Sequence, residues 1–120
     1  MREYNHAKIE KDWQKKWEKK KIYQVKDKVK GKKNFYQLVE FSYPSGNLHT
    51  GHWYAFSVPD IFARYKRMKG YNVLYPMGFD AFGLPAENAA IKLGADPKKW
   101  TYKQMDKMRG QLKSMAAMFD

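Results

Sequence analysis

The chain has 120 residues and a formal net charge of +12, and it contains no cysteine, which excludes disulfide frameworks, thiolate metal sites and cysteine nucleophiles. Its hydrophobic fraction of 43% argues against a disordered tail, while no apolar run approaches the ~18 residues of a membrane span and the N-terminus has no signal-peptide core. We therefore expect a folded cytoplasmic chain with no membrane partner, whose basic charge suits an anionic ligand such as a nucleic acid or a nucleotide.

The basic charge is concentrated in residues 1–33, which hold 13 basic and 5 acidic side chains. Asn5 can cap a helix there, with Ile9, Trp13 and Trp17 spaced one turn apart on one face. We interpret this leader as a solvated helix and linker that packs its two tryptophans onto the body. Contact between its lysines and an RNA backbone stays open as the alternative.

A strand, a helix and a second strand are predicted next. The aromatic and β-branched segment Phe35–Phe41 predicts the first strand, and Tyr71–Tyr75 predicts the second. Between them a helix is predicted from His49 or Thr50 to Lys69, with Gly70 ending it. Pro59 either bends this helix or begins another one. A βαβ unit of this kind has parallel strands, so the predicted fold class is α/β.

Two further helices are predicted after the second strand. Pro85 can open a short one that Gly94 closes, and Thr101 with Gln104 forms a capping box for the last one. We interpret the apolar face of the last helix as packing surface. Its residues are Met105, Met108, Leu112, Met115 and Phe119.

The loop before the long helix has the glycine spacing of a phosphate-binding P-loop, from Gly46 to Gly51. However, His52 and Trp53 stand where the lysine and the Ser/Thr of that motif would hold phosphate and magnesium. The sequence therefore does not predict a P-loop.

Two histidines give this loop a different chemistry. His49 and His52 lie three residues apart on the first helical turn, and Gly51 leaves the backbone between them bare. Together with the unpaired N–H groups expected at a helix start, they suit an anion with a planar appendage, such as a nucleoside triphosphate. A zinc site, two structural histidines and a general acid–base pair are the alternatives.

This loop resembles the His-x-Gly-His signature of class I aminoacyl-tRNA synthetases, and Asp80–Glu87 (DAFGLPAE) resembles the leucyl-tRNA synthetases among them. The resemblance runs from Trp13 to Thr101 and implies a partial, Rossmann-like nucleotide-binding fold. Residues 1–33 would be a basic helix and linker, and residues 34–120 the N-terminal half of the catalytic domain. The signature residues are Ser42, Tyr43, Pro44, Ser45, Gly46, Asn47, Leu48, His49, Thr50, Gly51 and His52.

The resemblance implies a leucine–tRNA ligase, which activates leucine with ATP to leucyl-adenylate and transfers it to tRNA(Leu). Mg²⁺ is expected with the ATP, with no metal ligand assigned to the protein. The implied catalytic residues are His49 and His52. The implied ATP-binding residues are His49, His52 and Gly51, with adenine lying against the glycine. The implied leucine-binding residues are Phe41, Tyr43 and Asp80, where the Asp80 carboxylate pairs with the ammonium group. From the residues alone, a structural turn residue is the alternative for Asp80.

The second family signature, a Lys-Met-Ser-Lys-Ser loop, is absent, and Lys107–Gln111, which begins similarly, falls inside a predicted helix. We therefore expect the N-terminal piece of a synthetase, either as a truncated sequence or as a subunit completed by a separate chain. Two other functions stay open: another nucleotidylyltransferase of the His-x-Gly-His type, and a non-catalytic basic RNA-binding module.

Overall fold

The computed structural model describes residues 4–120, so the first three residues of the predicted leader lie outside the described residues. Its helices and strands are α1 (His6–Lys20), β1 (Asn34–Tyr36), α2 (Thr50–Met68), β2 (Asn72–Leu74), α3 (Leu84–Lys92) and α4 (Pro97–Met115). β1 and β2 pair in parallel, with Phe35 opposite Val73, and α2 connects them. The predicted βαβ unit and the α/β class are therefore confirmed. No helix in this part of the chain is both long and apolar enough to cross a membrane.

Helix α1 begins as predicted, because the side chain of Asn5 accepts a hydrogen bond of 3.0 Å from a main-chain amide of its first turn. Only one of its two tryptophans packs closely against the body. Trp17 lies 5.9 Å from Tyr23 between ring centroids and 5.4 Å from the guanidinium of Arg64, whereas Trp13 is 49% exposed. The leader helix is thus attached mainly through Trp17.

The first strand is shorter than predicted: it ends at Tyr36 and does not continue to Phe41. In the observed register, the next amide of the second strand that would bond to the first belongs to Pro76, which has no N–H group to donate. Pairing resumes at a single parallel bridge between Ser42 and Phe79. The two chain segments therefore stay side by side up to the loops that follow them.

Helix α2 runs unbroken from Thr50 to Met68, with Gly70 just beyond it at a φ of 87°. Pro59 lies inside this helix, so the alternative that it begins a second helix is wrong. β2 is one residue shorter at each end than the predicted Tyr71–Tyr75.

Helix α4 begins earlier than predicted. Asp96 caps it by accepting a hydrogen bond of 2.8 Å from the Lys99 amide, and Pro97 occupies its first turn. The predicted capping box of Thr101 and Gln104 is therefore wrong: both residues lie inside the helix, and Gln104 is buried. An Asp-Pro start placed one turn upstream overrides the second capping pattern.

The apolar face of α4 is packing surface, as interpreted, because Met108 and Leu112 are buried. Phe119 does not belong to that face, because Ala116 adopts a left-handed conformation (φ 54°) and ends the helix. After this turn Phe119 packs against Tyr75, with ring centroids 4.9 Å apart.

A polar network joins the leader, α2 and the segment after α4. Arg64 donates hydrogen bonds to Asp60 (2.8 Å), to the hydroxyl of Tyr23 (3.0 Å) and to the carbonyl of Ala116 (2.7 Å), while Asp60 also accepts from the Met118 amide (2.7 Å). The division of the chain into residues 1–33 and 34–120 stays a prediction. The core beside this network consists of Ala63, Val73, Tyr75 and Met118, with Tyr23, Phe35, Val39, Tyr71 and Phe119 packed against it.

Candidate active site

The two loops predicted to carry the site leave the same end of the sheet. One runs from β1 into α2, and the other runs from β2 into α3. Because β1 and β2 are parallel, both loops follow carboxyl ends of strands, which is where open α/β sheets bind ligands.

His49 and His52 hold the start of α2 through each other. His49 is the N-cap residue, and its Nδ1 accepts a hydrogen bond of 3.1 Å from the amide of Gly51. The amide of His49 in turn donates to Nδ1 of His52 at 3.2 Å, which completes a capping box. The two rings lie 4.0 Å apart between centroids. The predicted pair is thus brought together on one side of the helix start.

These hydrogen bonds assign the protons of the two neutral rings. A nitrogen that accepts a hydrogen bond carries no proton, so both His49 and His52 carry theirs on Nε2. The prediction of unpaired helix amides is wrong for the amides of His49 and Gly51, because both donate to an imidazole. The site therefore presents two Nε2–H donors instead of these two amides.

The neutral form of His52 is favoured by its surroundings. Burial lowers the pKa of its imidazole below the ordinary value, and the neighbouring His49 lowers it further. The ring also lies 6.0 Å from that of the buried Phe56. A neutral His52 keeps Nδ1 available as an acceptor, so the low pKa and the helix cap support each other.

Gly51 is required by the histidine geometry itself. A Cβ added there would lie 2.9 Å from Cε1 and 3.0 Å from Nδ1 of the His49 ring, closer than non-bonded carbon atoms come. By contrast, a Cβ on Gly46 in the same loop would meet nothing within 4 Å. The absence of a side chain at Gly51 therefore lets the His49 ring fold back over the helix start. The predicted contact between Gly51 and adenine stays a prediction.

Asp80 lies directly beside the first loop. Its amide donates a hydrogen bond of 3.1 Å to the carbonyl of Ser42, next to the bridge between Ser42 and Phe79. Asp80 is exposed, and among residues 4–120 no lysine, arginine or histidine forms a salt bridge with it. A carboxylate in this position can accept hydrogen bonds from the ammonium group of a ligand.

The other predicted leucine-binding residues flank this contact. Phe41 and Tyr43 are the chain neighbours of Ser42, with side chains 38% and 45% exposed. The ring of Phe41 lies against Gly78, where an added Cβ would come within 2.9 Å of it. Gly78 was not among the predicted site residues, and its only signal in the sequence is a glycine two residues before Asp80. The main chains of Phe41, Tyr43 and Asp80 thus all lie next to Ser42.

The zinc alternative finds no support in the described part of the chain. Within residues 4–120 no three His, Asp or Glu side chains are grouped closely enough to hold a metal ion. The Nε2–H groups at the helix start are hydrogen-bond donors, which suit an anion.

Residues 12–119 match the sequence model of a family described as tRNA synthetases class I (I, L, M and V). The chain belongs to the class I aminoacyl-tRNA synthetases. Among its curated relatives, a leucine–tRNA ligase of Herpetosiphon aurantiacus is 55% identical over 117 residues, covering 98% of this chain and 14% of the relative. One of Fusobacterium nucleatum is 52% identical over 120 residues, covering 100% of this chain and 14% of that protein. The chain thus spans about one seventh of the length of these relatives.

Solved class I synthetase structures have the same fold. The ternary complex of Agrobacterium radiobacter K84 agnB2 LeuRS with tRNA and LeuAMS superposes with a TM-score of 0.91 at 43% identity, covering 98% of this chain and 15% of that one. Mycobacterium tuberculosis methionyl-tRNA synthetase, in complex with methionyl-adenylate, gives 0.70 at 28% identity, covering 73% of this chain and 17% of that one. These likenesses confirm the Rossmann-like fold, and the match to leucine–tRNA ligases confirms the predicted resemblance.

Proposed function

We propose that this chain supplies the ATP- and leucine-binding part of a leucine–tRNA ligase. The observation that carries the proposal is the hydrogen bond between the Asp80 amide and the Ser42 carbonyl. It holds a carboxylate at the head of the loop whose other end carries the paired imidazoles of His49 and His52. The ammonium site and the phosphate site would thus lie at the two ends of the histidine loop, with the carboxylate supplied by the neighbouring loop.

The first step joins leucine to the α-phosphate of ATP. A carboxylate oxygen of leucine attacks the α-phosphorus, the bond from this phosphorus to the bridging oxygen breaks, and pyrophosphate leaves. The Nε2–H groups of His49 and His52 would donate hydrogen bonds to phosphate oxygens as charge develops on them. In-line attack at phosphorus depends mainly on positioning and charge stabilisation, so two fixed N–H donors fit this role.

Mg²⁺ would be expected with the ATP and would neutralise phosphate charge, because this ion is usually bound through substrate phosphates and few protein ligands. We assign it no ligand in this chain. The donor set at the helix start fits a triphosphate, since imidazole N–H groups and the positive end of the α2 dipole both favour an anion.

Asp80 would bind the leucine ammonium, with the backbone of Phe41 and the side chain of Tyr43 next to it. Asp80 is exposed, and its main chain lies beside Ser42, whose chain neighbours are Phe41 and Tyr43. In the second step the terminal adenosine of tRNA(Leu) would attack the leucyl carbonyl carbon through a hydroxyl group, with AMP leaving. Support for tRNA as the partner is the 43% identity to the LeuRS that was solved with tRNA and LeuAMS.

We further propose that residues 34–120 form the first half of a nucleotide-binding catalytic domain and residues 1–33 its basic helix and linker. The relatives are about seven times longer than their match to this chain. One face of α2 is also apolar but exposed within residues 4–120. We expect such a face where another part of a longer enzyme covers the helix. The residues of this face are Tyr54, Val58, Ile61, Tyr65 and Met68. The remainder would be carried on the same polypeptide or on a separate chain, and the complete enzyme would act in the cytoplasm.

Exchange of pyrophosphate into ATP tests the proposal. A full-length protein containing this chain is expected to catalyse exchange that depends on leucine and much less on isoleucine, valine or methionine. Replacing His52→Ala should lower the exchange rate by a factor of about 10²–10³, the usual loss for one such donor. His6→Ala is the matched control, because this histidine lies exposed on α1.

Four outcomes would contradict the proposal. Exchange that no amino acid stimulates would favour another nucleotidylyltransferase. Exchange driven by a different amino acid would leave the fold assignment but refute leucine as the substrate. Exchange unchanged by His52→Ala would remove this histidine from its role, and salt-sensitive RNA binding without any exchange would favour the RNA-binding module.

A further inference from the structure

The loop that carries the two histidines is buried at Ser42 and Pro44 but makes few long-range hydrogen bonds. Between Ser42 and His49, side-chain and main-chain hydrogen bonds of the described residues link it to distant parts of the chain at two places. One is the Ser42 carbonyl, bonded to Asp80. The other is the amide of Leu48, which donates to Oε1 of Gln111 on α4 at 3.1 Å, across 63 positions of sequence.

Gln111 is held firmly by its own helix. Its neighbours Met108 and Leu112 are 1% and 8% exposed, so this turn of α4 is anchored in the interior. Gln111 itself is half-buried, with its side chain directed at the loop. The packing of α4 therefore fixes the position of Gln111 Oε1, which accepts the hydrogen bond from the Leu48 amide.

The contact lies next to the histidine that begins α2. Leu48 immediately precedes His49, so two consecutive amides are each bonded to a side chain: that of Leu48 to Gln111 and that of His49 to His52. The backbone entering the helix is extended at His49, with φ −127° and ψ 177°. Because both amides are hydrogen-bonded, the main chain at His49 has little freedom to rotate. The orientation of the His49 ring is therefore restricted as well.

We propose that Gln111 is a positioning residue for adenylate formation, which acts through the His49 turn and does not touch the substrates. The inference rests on the proposed function. Gln111 anchors the phosphate end of the loop, whereas the Ser42–Asp80 contact anchors the leucine end. Loss of the Gln111 acceptor frees the Leu48 amide and lets the Nε2 donor of His49 move away from the phosphate. A displacement of 1 Å at such a group can cost a factor of 10².

The test is steady-state pyrophosphate exchange by the full-length protein that contains this chain. Gln111→Met removes the acceptor and nearly keeps the shape of the side chain. We expect kcat/KM for ATP to fall about tenfold or more, the loss that corresponds to one hydrogen bond, while KM for leucine changes less than about twofold. Gln111→Asn, one methylene too short, is expected to give the same selective loss.

Ser114→Ala is the matched control. It deletes a hydrogen bond of 2.7 Å from the serine hydroxyl to the main-chain carbonyl of the same Gln111, so it perturbs α4 there without touching the Leu48 contact. We expect its exchange kinetics to match those of the unaltered protein. An unchanged KM for leucine in the Gln111 variants also reports that the leucine end of the site is folded.

Each outcome is decisive. A selective loss in ATP kinetics in both Gln111 variants, absent from Ser114→Ala, supports the positioning role. Equal losses toward ATP and leucine, no loss, or the same loss in Ser114→Ala would overturn it. If the unaltered protein shows no leucine-dependent exchange, the proposed function fails, and with it the reaction that Gln111 is proposed to serve.

Discussion

The amide of Asp80 donates a hydrogen bond of 3.1 Å to the carbonyl of Ser42, although 38 positions of sequence separate the two residues. This contact continues the parallel pairing of β1 and β2 by one bridge beyond the strands, after a gap enforced by Pro76. It fixes the exit of the second strand against the start of the histidine loop. Substitutions near Asp80 should therefore change mainly the kinetics for leucine, whereas substitutions near His49, at the other end of the loop, should change mainly the kinetics for ATP.

Asp80→Asn should weaken the binding of leucine far more than that of ATP. The substitution keeps the size of the side chain but removes the negative charge, and a hydrogen bond to a charged group contributes about 1.5–3 kcal/mol. KM for leucine in pyrophosphate exchange should rise about 10- to 100-fold, with KM for ATP nearly unchanged. Asp12→Asn, exposed on α1, is the control. Equal increases for both substrates would mean that Asp80 is a structural turn residue.

Gly51→Ala should impair ATP use through the His49 ring. The new methyl group would lie 2.9 Å from Cε1 of His49 and force the ring to move. We expect kcat/KM for ATP to fall about 10- to 100-fold, as for other small displacements of reacting groups. Gly46→Ala in the same loop has open space around its Cβ and should be nearly neutral. Similar kinetics for the two variants would refute the steric argument.

The stability of the helix start should depend on pH through His52. Its folded-state pKa is lowered, mainly by burial and further by His49, so the unfolded chain binds the proton more readily. The associated stability is complete above the ordinary histidine pKa and is lost as the pH falls through the lowered one. The Tm should therefore drop between about pH 7.5 and about pH 5.5, and His52→Gln, which keeps an acceptor at this capping position, should reduce the drop. An equal drop in both proteins would contradict this.

Arg64→Lys should loosen the segment after α4. Lysine cannot reproduce the three contacts of the guanidinium group with Asp60, Tyr23 and Ala116. The carboxylate of Asp60 would then hold the Met118 amide less firmly, and protection of that amide from hydrogen exchange should fall about tenfold. Arg109→Lys, in an exposed pair with Asp106, should leave it unchanged. Protection retained at Met118 in Arg64→Lys would show that the network is redundant.

The sequence predicted helix ends correctly where a single residue determines the end. Asn5 caps α1 and Gly70 follows the end of α2 because a side-chain acceptor and a left-handed backbone are each properties of a single position. The pairing of His49 with His52 was also predictable, since two residues three positions apart on a helical turn face the same side. The N-cap of α4 at Asp96 could have been predicted in the same way from the Asp-Pro pair. The capping-box pattern at Thr101 was chosen instead.

Contacts between distant segments were beyond this kind of prediction. The early end of β1 follows from the register that aligns Pro76 with the first strand, and no local pattern reveals a register. The hydrogen bond from Leu48 to Gln111 and the contact of Phe41 with Gly78 likewise require the packed chain. The motif thus indicated the candidate site residues, and the tertiary structure shows the contacts that hold them in place.

The reciprocal caps of His49 and His52 have a thermodynamic consequence for ligand capture. Each Nδ1 is already engaged, so ring orientation and tautomer are selected during folding and not by the arriving nucleotide. Docking a phosphate group then requires little ordering of the turn, and more of the contact energy is retained as affinity. Calorimetry should accordingly find a smaller entropic penalty for nucleotide association than in a protein whose phosphate loop folds around its ligand.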